Sequence, residues 1–190
     1  MVKNVSLQDK KKKKKWLVIL ASKEFNNQEI GETYINEPEQ ALNRTIQINL
    51  MTLTRDPKKQ NFNVFFKIKD VKNNQATTTL LAYKIQSAQL KKITKKNKAK
   101  VEDSYIYETK DKAKLIIKPI LITKSLTYKN TLKEIRKLTR VFLDKYCKEH
   151  DVSEVMRDIV SGSLQREIKA NAKKMIPMTN CLVKSAIIKQ

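Results

Sequence analysis

The sequence predicts an α+β fold, with an antiparallel sheet or small β-barrel of about six strands followed by C-terminal helices and a final strand. Short segments rich in β-branched and aromatic residues, separated by short turns, fill the first two thirds of the 190 residues. After Ser125 the apolar residues recur at helical spacing instead. Strands first and helices later are typical of an α+β domain.

The predicted strands are short apolar or alternating segments bounded by polar turns. The run WLVIL has the length and the β-branched content of a buried strand. A short strand near residues 33–35 and one or two helical turns within 89–96 are also expected. The main strands are predicted at residues 16–20, 45–51, 63–71, 76–85, 101–108 and 114–123.

Three helices are predicted after the strands. Thr131 and Glu134 have the spacing of a capping box, and the apolar periodicity that follows extends to Tyr146. A second helix is expected from about 151 to 161, and Gly162 would end it.

Ser163 is expected to cap the third helix, which runs to about Met175 and is stopped by Pro177. Residues 181–188 then form the last predicted strand.

Charge is the most informative property of the composition. Lysine and arginine number 41 against 19 acidic residues, which gives a net charge of +22 and a pI near 9.9. Such an excess opposes compaction through self-repulsion, and a polyanionic partner would relieve it. Nucleic acid is the first candidate partner and an anionic membrane surface the second.

The N-terminal lysines directly precede an apolar stretch. Six lysines at 10–15 are followed by six apolar residues at 16–21. This block is shorter than the apolar core of a signal peptide and far shorter than the ~18 residues of a membrane span. We therefore expect residues 1–15 to form a basic, disordered arm and residues 16–190 to form a single α+β domain that binds RNA.

Residues suited to catalysis are few. Cys147 and Cys181 have no metal-ligand spacing, and two glycines in the whole chain exclude a glycine-rich phosphate loop. His150 is expected at a helix end, and the acidic pair Glu102 and Asp103 at a solvated strand edge. The sequence therefore predicts no catalytic site, no metal and no cofactor, although a basic nuclease using these residues stays an alternative.

The predicted binding residues are the lysines and arginines that cluster in the chain. One cluster follows from a helical wheel, because apolar side chains occupy one side of the helix after Thr131 and cations occupy another. Aromatic residues are sparse and fall on expected core positions, so structured RNA bound through its backbone is favoured over stacked single strands. The predicted RNA-binding residues are Lys10, Lys11, Lys12, Lys13, Lys14, Lys15, Lys58, Lys59, Lys91, Lys92, Lys95, Lys96, Lys133, Arg136, Lys137, Arg140, Lys173 and Lys174.

Four segments in the same order resemble a known family. They are LTRDPKKQNFNVFFKIKDV at 53–71, TKDKAKLIIKPILIT at 109–123, LKEIRK at 132–137 and AKKMIPMTNCLVKSAIIK at 172–189. The chain resembles the archaeal and eukaryotic small-subunit ribosomal proteins of the S-one type, also called S-three-A, and is most similar to the archaeal form.

The resemblance implies a cytoplasmic structural protein of the small ribosomal subunit that is not an enzyme. It further implies binding to small-subunit rRNA beside neighbouring ribosomal proteins, on the platform side and near the mRNA exit site. A free RNA-binding factor of ribosome assembly is the alternative, and no membrane role is expected.

Overall fold

A computed structural model describes residues 14–72 and 74–189. Within them the chain contains nine strands and five α-helices. The strands are β1 (Lys15–Leu20), β2 (Glu29–Ile35), β3 (Thr45–Asn49), β4 (Phe62–Lys72), β5 (Gln75–Ile85), β6 (Lys100–Glu102), β7 (Tyr105–Glu108), β8 (Lys114–Thr123) and β9 (Met178–Lys189). The helices are α1 (Leu50–Thr54), α2 (Ser87–Ile93), α3 (Lys129–Glu149), α4 (Val152–Ser161) and α5 (Ser163–Lys173).

The chain divides into two compact units. The first unit takes its residues from Met1–Ile48 and Phe65–Leu80, and the second from Asn49–Val64 and Leu81–Gln190. Strands β3, β4 and β5 contribute residues to both units. The single domain expected over residues 16–190 stays a prediction.

The first unit is built around β1. This strand pairs antiparallel with β2 and parallel with β5, where Ile19 lies opposite Ala76. Alternate residues of β1 enter the core, so Leu17 and Ile19 are buried together with Ile35 and Ile68. The outward residues of β1 and β2 therefore form a separate exposed face.

The second unit is built around β8 and β9, which pair antiparallel over most of their length. Strand β8 is buried on both faces near its end, where Ile120, Leu121 and Ile122 are each almost fully shielded. Pro119 lies where the register of the pair shifts, at a position that does not need an amide donor. Strands β6 and β7 pair with the other edge of β8, and β5 pairs with β9.

The helices cover this part of the sheet with amphipathic faces. Helix α3 packs against β6 and β7, and α5 packs against β9. The buried side of α3 carries Ile135, Leu143 and Cys147 at helical spacing. Asp151 and Glu154 form a capping box at the start of α4, and Gly162 ends that helix with a φ of 86°.

The predicted fold class is confirmed, with corrections to the sheet. The described strands do not close into a barrel, and they number nine, against six main strands, one short strand near residues 33–35 and a final strand in the prediction. The sheet is mixed rather than antiparallel, because β1 runs parallel to β5. The strand predicted at 101–108 is divided by residues 103–104 into β6 and β7.

The predicted N-terminal caps of two helices are wrong. Helix α3 begins at Lys129 after Tyr128, so Thr131 lies inside the helix and caps nothing. Gly162, not Ser163, occupies the capping position before α5. The strand predicted at residues 45–51 ends earlier, at Asn49. Asn49 caps α1 by accepting a hydrogen bond from the Met51 amide.

Candidate nucleic-acid interface

The basic face of α3 consists of Lys133, Arg136, Lys137 and Arg140, and all four side chains are exposed. Each lies three or four residues from another member, so the helix brings them onto one surface. The sequence predicted this face from helical periodicity alone.

The two arginines of this face are held by the protein itself. Arg136 Nε lies 3.3 Å from Asp103 Oδ2, in the segment between β6 and β7. The guanidinium of Arg140 lies 5.4 Å from the ring centre of Tyr105, which permits a cation–π contact. These contacts fix both arginines, whereas Lys133 and Lys137 have no ion pair within the described residues.

A groove joins two basic clusters that are distant in the sequence. It lies between α3 and the end of α5, has a volume of about 450 Å³, and is lined by both Lys137 and Lys174. Its floor is apolar and includes Val141 and Phe142. One lysine of each cluster, Lys137 and Lys174, thus lies on the same groove of the second unit, beside Glu134.

The lysine cluster of α2 consists of Lys91, Lys92, Lys95 and Lys96. All four side chains are exposed, on the last turn of α2 and the residues that follow it. No acidic partner is found for them in the described part of the chain. The cluster can therefore neutralise external anions.

Lys59 lies in a second basic cleft with two cations that the sequence analysis did not select. Pro57–Lys59 forms a short turn capped by Asp56, whose carboxylate accepts a hydrogen bond from the Lys58 amide at 3.0 Å. The cleft has a volume of about 330 Å³ and contains Lys59 beside Arg166 and Lys169 of α5. The spacing of three residues between Arg166 and Lys169 could have indicated that both lie on one helix face. Their proximity to Lys59 is visible only in the fold.

The first unit contributes Lys14 and Lys15, at the start of β1. Lys10, Lys11, Lys12 and Lys13 lie outside the described residues, as does the rest of the arm. Sequence reasoning missed the neighbouring Trp16 and Tyr34, which are exposed and stack against each other with ring centres 4.8 Å apart. They lie opposite each other in the β1–β2 register, which their distance in the sequence conceals.

The acidic pair proposed for the nuclease alternative is engaged in ion pairs. Glu102 accepts hydrogen bonds from Lys100, at 2.7 Å, and from Lys184. These hydrogen bonds lower the pKa of Glu102 below its ordinary value. Asp103 is paired with Arg136. The two carboxylates are therefore engaged by separate cations rather than arranged around a shared metal ion.

His150 and the cysteines form no catalytic arrangement. The imidazole Nδ1 of His150 lies 3.2 Å from Glu154 Oε2. Cys147 and Cys181 are both buried, and burial raises the pKa of each thiol to about 12. A neutral buried thiol is a poor nucleophile.

The described residues contain neither a metal-binding cluster nor a helix suited to span a membrane. No group of three or more histidine, cysteine or acidic side chains in residues 14–72 and 74–189 is arranged to hold a metal ion. No helix in that part of the chain has both the length and the apolar character needed to span a membrane.

Comparison with known proteins gives one consistent result. Residues 3–190 match the model of the Ribosomal S3Ae family. The chain is 31% identical to small ribosomal subunit protein eS1 of Halorubrum lacusprofundi over 176 residues, covering 91% of this chain and 80% of the relative. It is 29% identical to the protein of the same name from Methanothermobacter thermautotrophicus, covering 97% and 95%.

A third relative is similar over nearly its whole length. Small ribosomal subunit protein eS1 of Sulfurisphaera tokodaii is 28% identical, covering 94% of this chain and 92% of the relative. The family match extends over both compact units. The chain therefore belongs to the Ribosomal S3Ae family.

Proposed function

We propose that the protein binds the rRNA of the small ribosomal subunit through the basic clusters of its second unit. As a member of its family it is a structural, non-enzymatic component of the small ribosomal subunit, which is cytoplasmic. The resemblance of its sequence to this family supports a position on the platform side of the subunit, near the mRNA exit site. Neighbouring ribosomal proteins, and mRNA leaving the subunit, are the further partners of this proposal.

The observation that carries the proposal is a set of lysines, all exposed except the half-buried Lys59, that have no ion pair among the described residues. In the described part of the second unit they have no acidic partner, whereas Lys145 and Lys148 on the same helix as Lys133 each have one. A protein of net charge +22 that leaves these cations free gains most from a polyanion. The unpaired lysines are Lys58, Lys59, Lys91, Lys92, Lys95, Lys96, Lys133, Lys137, Lys173 and Lys174.

The distribution of these lysines favours RNA recognised by its phosphate backbone. They lie on α2, α3, α5 and the turn before β4, not along one narrow groove. Each lysine that neutralises a phosphate releases counterions, so binding weakens as salt rises. Lys137 of the basic face and Lys174 line one groove, with Glu134 as its acidic member, and we propose the surface around it as a principal contact surface.

Helix α3 offers a matched experiment, because Lys133 and Lys137 have no ion pair in the described chain, whereas Lys145 and Lys148 each have one. We compare Lys133→Gln with Lys137→Gln, as a double variant, with Lys145→Gln and Lys148→Gln. Both double variants lose two charges from the same helix. We expect the first pair to weaken binding to small-subunit rRNA and to lower the salt slope of log K by about 1.5, measured by filter binding over a potassium chloride series.

The second pair is expected to leave the slope nearly unchanged, because Asp144 and Glu149 already engage Lys148 and Lys145. If both double variants lost the same rRNA affinity and the same salt slope, net charge alone would explain the loss. That result would contradict the proposed contact surface. Circular dichroism of each variant confirms that the helices are intact.

A further inference from the structure

The exposed face of β1 and β2 carries the only tryptophan of the chain. Leu17 and Ile35 point into the core, so the alternation of both strands directs Trp16 and Tyr34 outward. Trp16 remains 62% exposed and Tyr34 49% exposed. Aromatic rings of this size are usually buried or placed in an interface, so their exposure as a pair indicates a contact surface.

The two rings form one surface rather than two separate contacts. They are opposite each other in the antiparallel register, with ring centres 4.8 Å apart and planes inclined by 39°. Such a tilted pair leaves part of each ring face open to a third aromatic ring. A nucleobase can use that face whatever its sequence, because every base has a π-face.

The surroundings of the pair are polar and asymmetrically charged. Lys14 Nζ lies 5.6 Å from the ring centre of Tyr34, and Lys15 is exposed next to Trp16. Glu32 is exposed two residues from Tyr34 along the same face, so an anionic backbone would lie toward the lysine end. In single-strand binding proteins, bases stack on aromatic rings that lie beside cations.

A small cavity adjoins the tryptophan. It has a volume of about 180 Å³. Asn36 and Asn74 are among its lining residues, and an asparagine side chain can donate and accept hydrogen bonds at a base edge. Its lining is Lys15, Trp16, Leu17, Ile35, Asn36, Pro38, Val71 and Asn74.

We propose that Trp16 and Tyr34 form a platform on which an unpaired RNA base stacks, while Lys14 holds its phosphate. This inference rests on the proposed RNA-binding function and adds a second mode of contact to it. In this proposal the lysines of the second unit bind RNA phosphates by charge alone, whereas the platform requires a base that is not paired in an RNA double helix.

Fluorescence of Trp16 tests the platform directly, because no other tryptophan contributes to the signal. The full chain is titrated with a short single-stranded oligouridylate and with an abasic oligomer of the same length and charge. We expect the oligouridylate to quench the fluorescence and the abasic oligomer to leave it nearly unchanged. Equal quenching by both oligomers would overturn the platform.

Substitution provides the second readout. Trp16→Ala and Tyr34→Ala are expected to weaken oligouridylate binding about tenfold, and Trp16→Phe to retain most of it. The control is Tyr128→Ala, which removes a tyrosine that is 86% exposed and has no aromatic neighbour within the described residues. Equal losses in the control and in Tyr34→Ala would also overturn the platform.

The outcomes separate this inference from the proposed function. If small-subunit rRNA binds with a steep salt dependence while Trp16→Ala changes nothing, the platform is wrong and the proposed function stands. If the unaltered protein fails to bind rRNA, the proposed function is wrong. If Trp16→Ala blocks association with ribosomal proteins but not with RNA, the face is a protein contact and the platform is overturned.

Discussion

The basic face of α3 and the aromatic face of β1 and β2 are both exposed, but they differ in what holds their side chains. On α3, Arg136 is bound by Asp103 and Arg140 lies over Tyr105, so the fold fixes half of the face. On β1 and β2, Trp16 and Tyr34 contact chiefly each other and a nearby lysine.

This difference shows that an exposed charge is not equivalent to a free charge. Arginine binds a carboxylate and an aromatic face well, so the arginines of α3 serve the packing of the helix on β6 and β7. The unpaired lysines beside them keep mobile, hydrated ammonium groups that can reach phosphates. Stability and binding are therefore divided between neighbouring residues of the same helix.

Removal of the two arginines is expected to have the largest effect on stability. Arg136→Ala with Arg140→Ala removes an ion pair and a cation–π contact, and it leaves Asp103 half-buried without its partner. We expect the free energy of unfolding to fall by about 1–1.5 kcal/mol, measured by urea denaturation.

The matched variant is Lys133→Ala with Lys137→Ala, which also removes two charges from α3. Its unfolding free energy should change by less than about 0.5 kcal/mol, because neither lysine has an ion pair in the described chain. If the two double variants were equally stable, the contrast drawn between arginines and lysines would fail.

A smaller effect is expected from acid, through Glu102. Its hydrogen bonds to Lys100 and then to Lys184 lower its pKa in the folded protein. The ionised carboxylate therefore adds stability above its ordinary pKa of 4.5, and this stability is lost as pH falls through the lower folded-state pKa. The loss should be below about 1 kcal/mol, because the pair is partly exposed.

Glu102→Gln isolates this contribution. Urea denaturation at a series of pH values below 4.5 should show a shallower acid loss in the variant than in the unaltered protein. An unchanged pH dependence would show that the contacts of Glu102 with Lys100 and Lys184 do not stabilise the folded protein.

The fold class could be predicted because its main signals are local. Strand β8 is rich in isoleucine and leucine, and helix α4 ends at Gly162, a residue that favours a helix end on its own. The parallel pairing of β1 with β5 could not be predicted, because it joins segments whose apolar patterns fit several partners. The break between β6 and β7 depends on packing against α3, which the strand pattern does not contain.

The candidate interface also has one part that the sequence alone locates and one part that only the fold shows. The basic face of α3 follows from a period of 3.6 residues, so the sequence alone locates it. The stacking of Trp16 on Tyr34 depends on the β1–β2 register, which the burial of Leu17 and Ile35 sets. WLVIL is a continuous apolar run that predicts a buried strand, so no local pattern placed Trp16 outside or identified its cross-strand neighbour.

The central claim is that this protein is a structural component of the small ribosomal subunit held there by rRNA. Sedimentation of a cell lysate through a sucrose gradient at high salt tests it most directly, with the protein followed by immunoblot. We predict that the protein stays with the small subunit and with its rRNA under these conditions. Recovery only in the light fractions would contradict the claim and favour a factor that associates transiently during assembly.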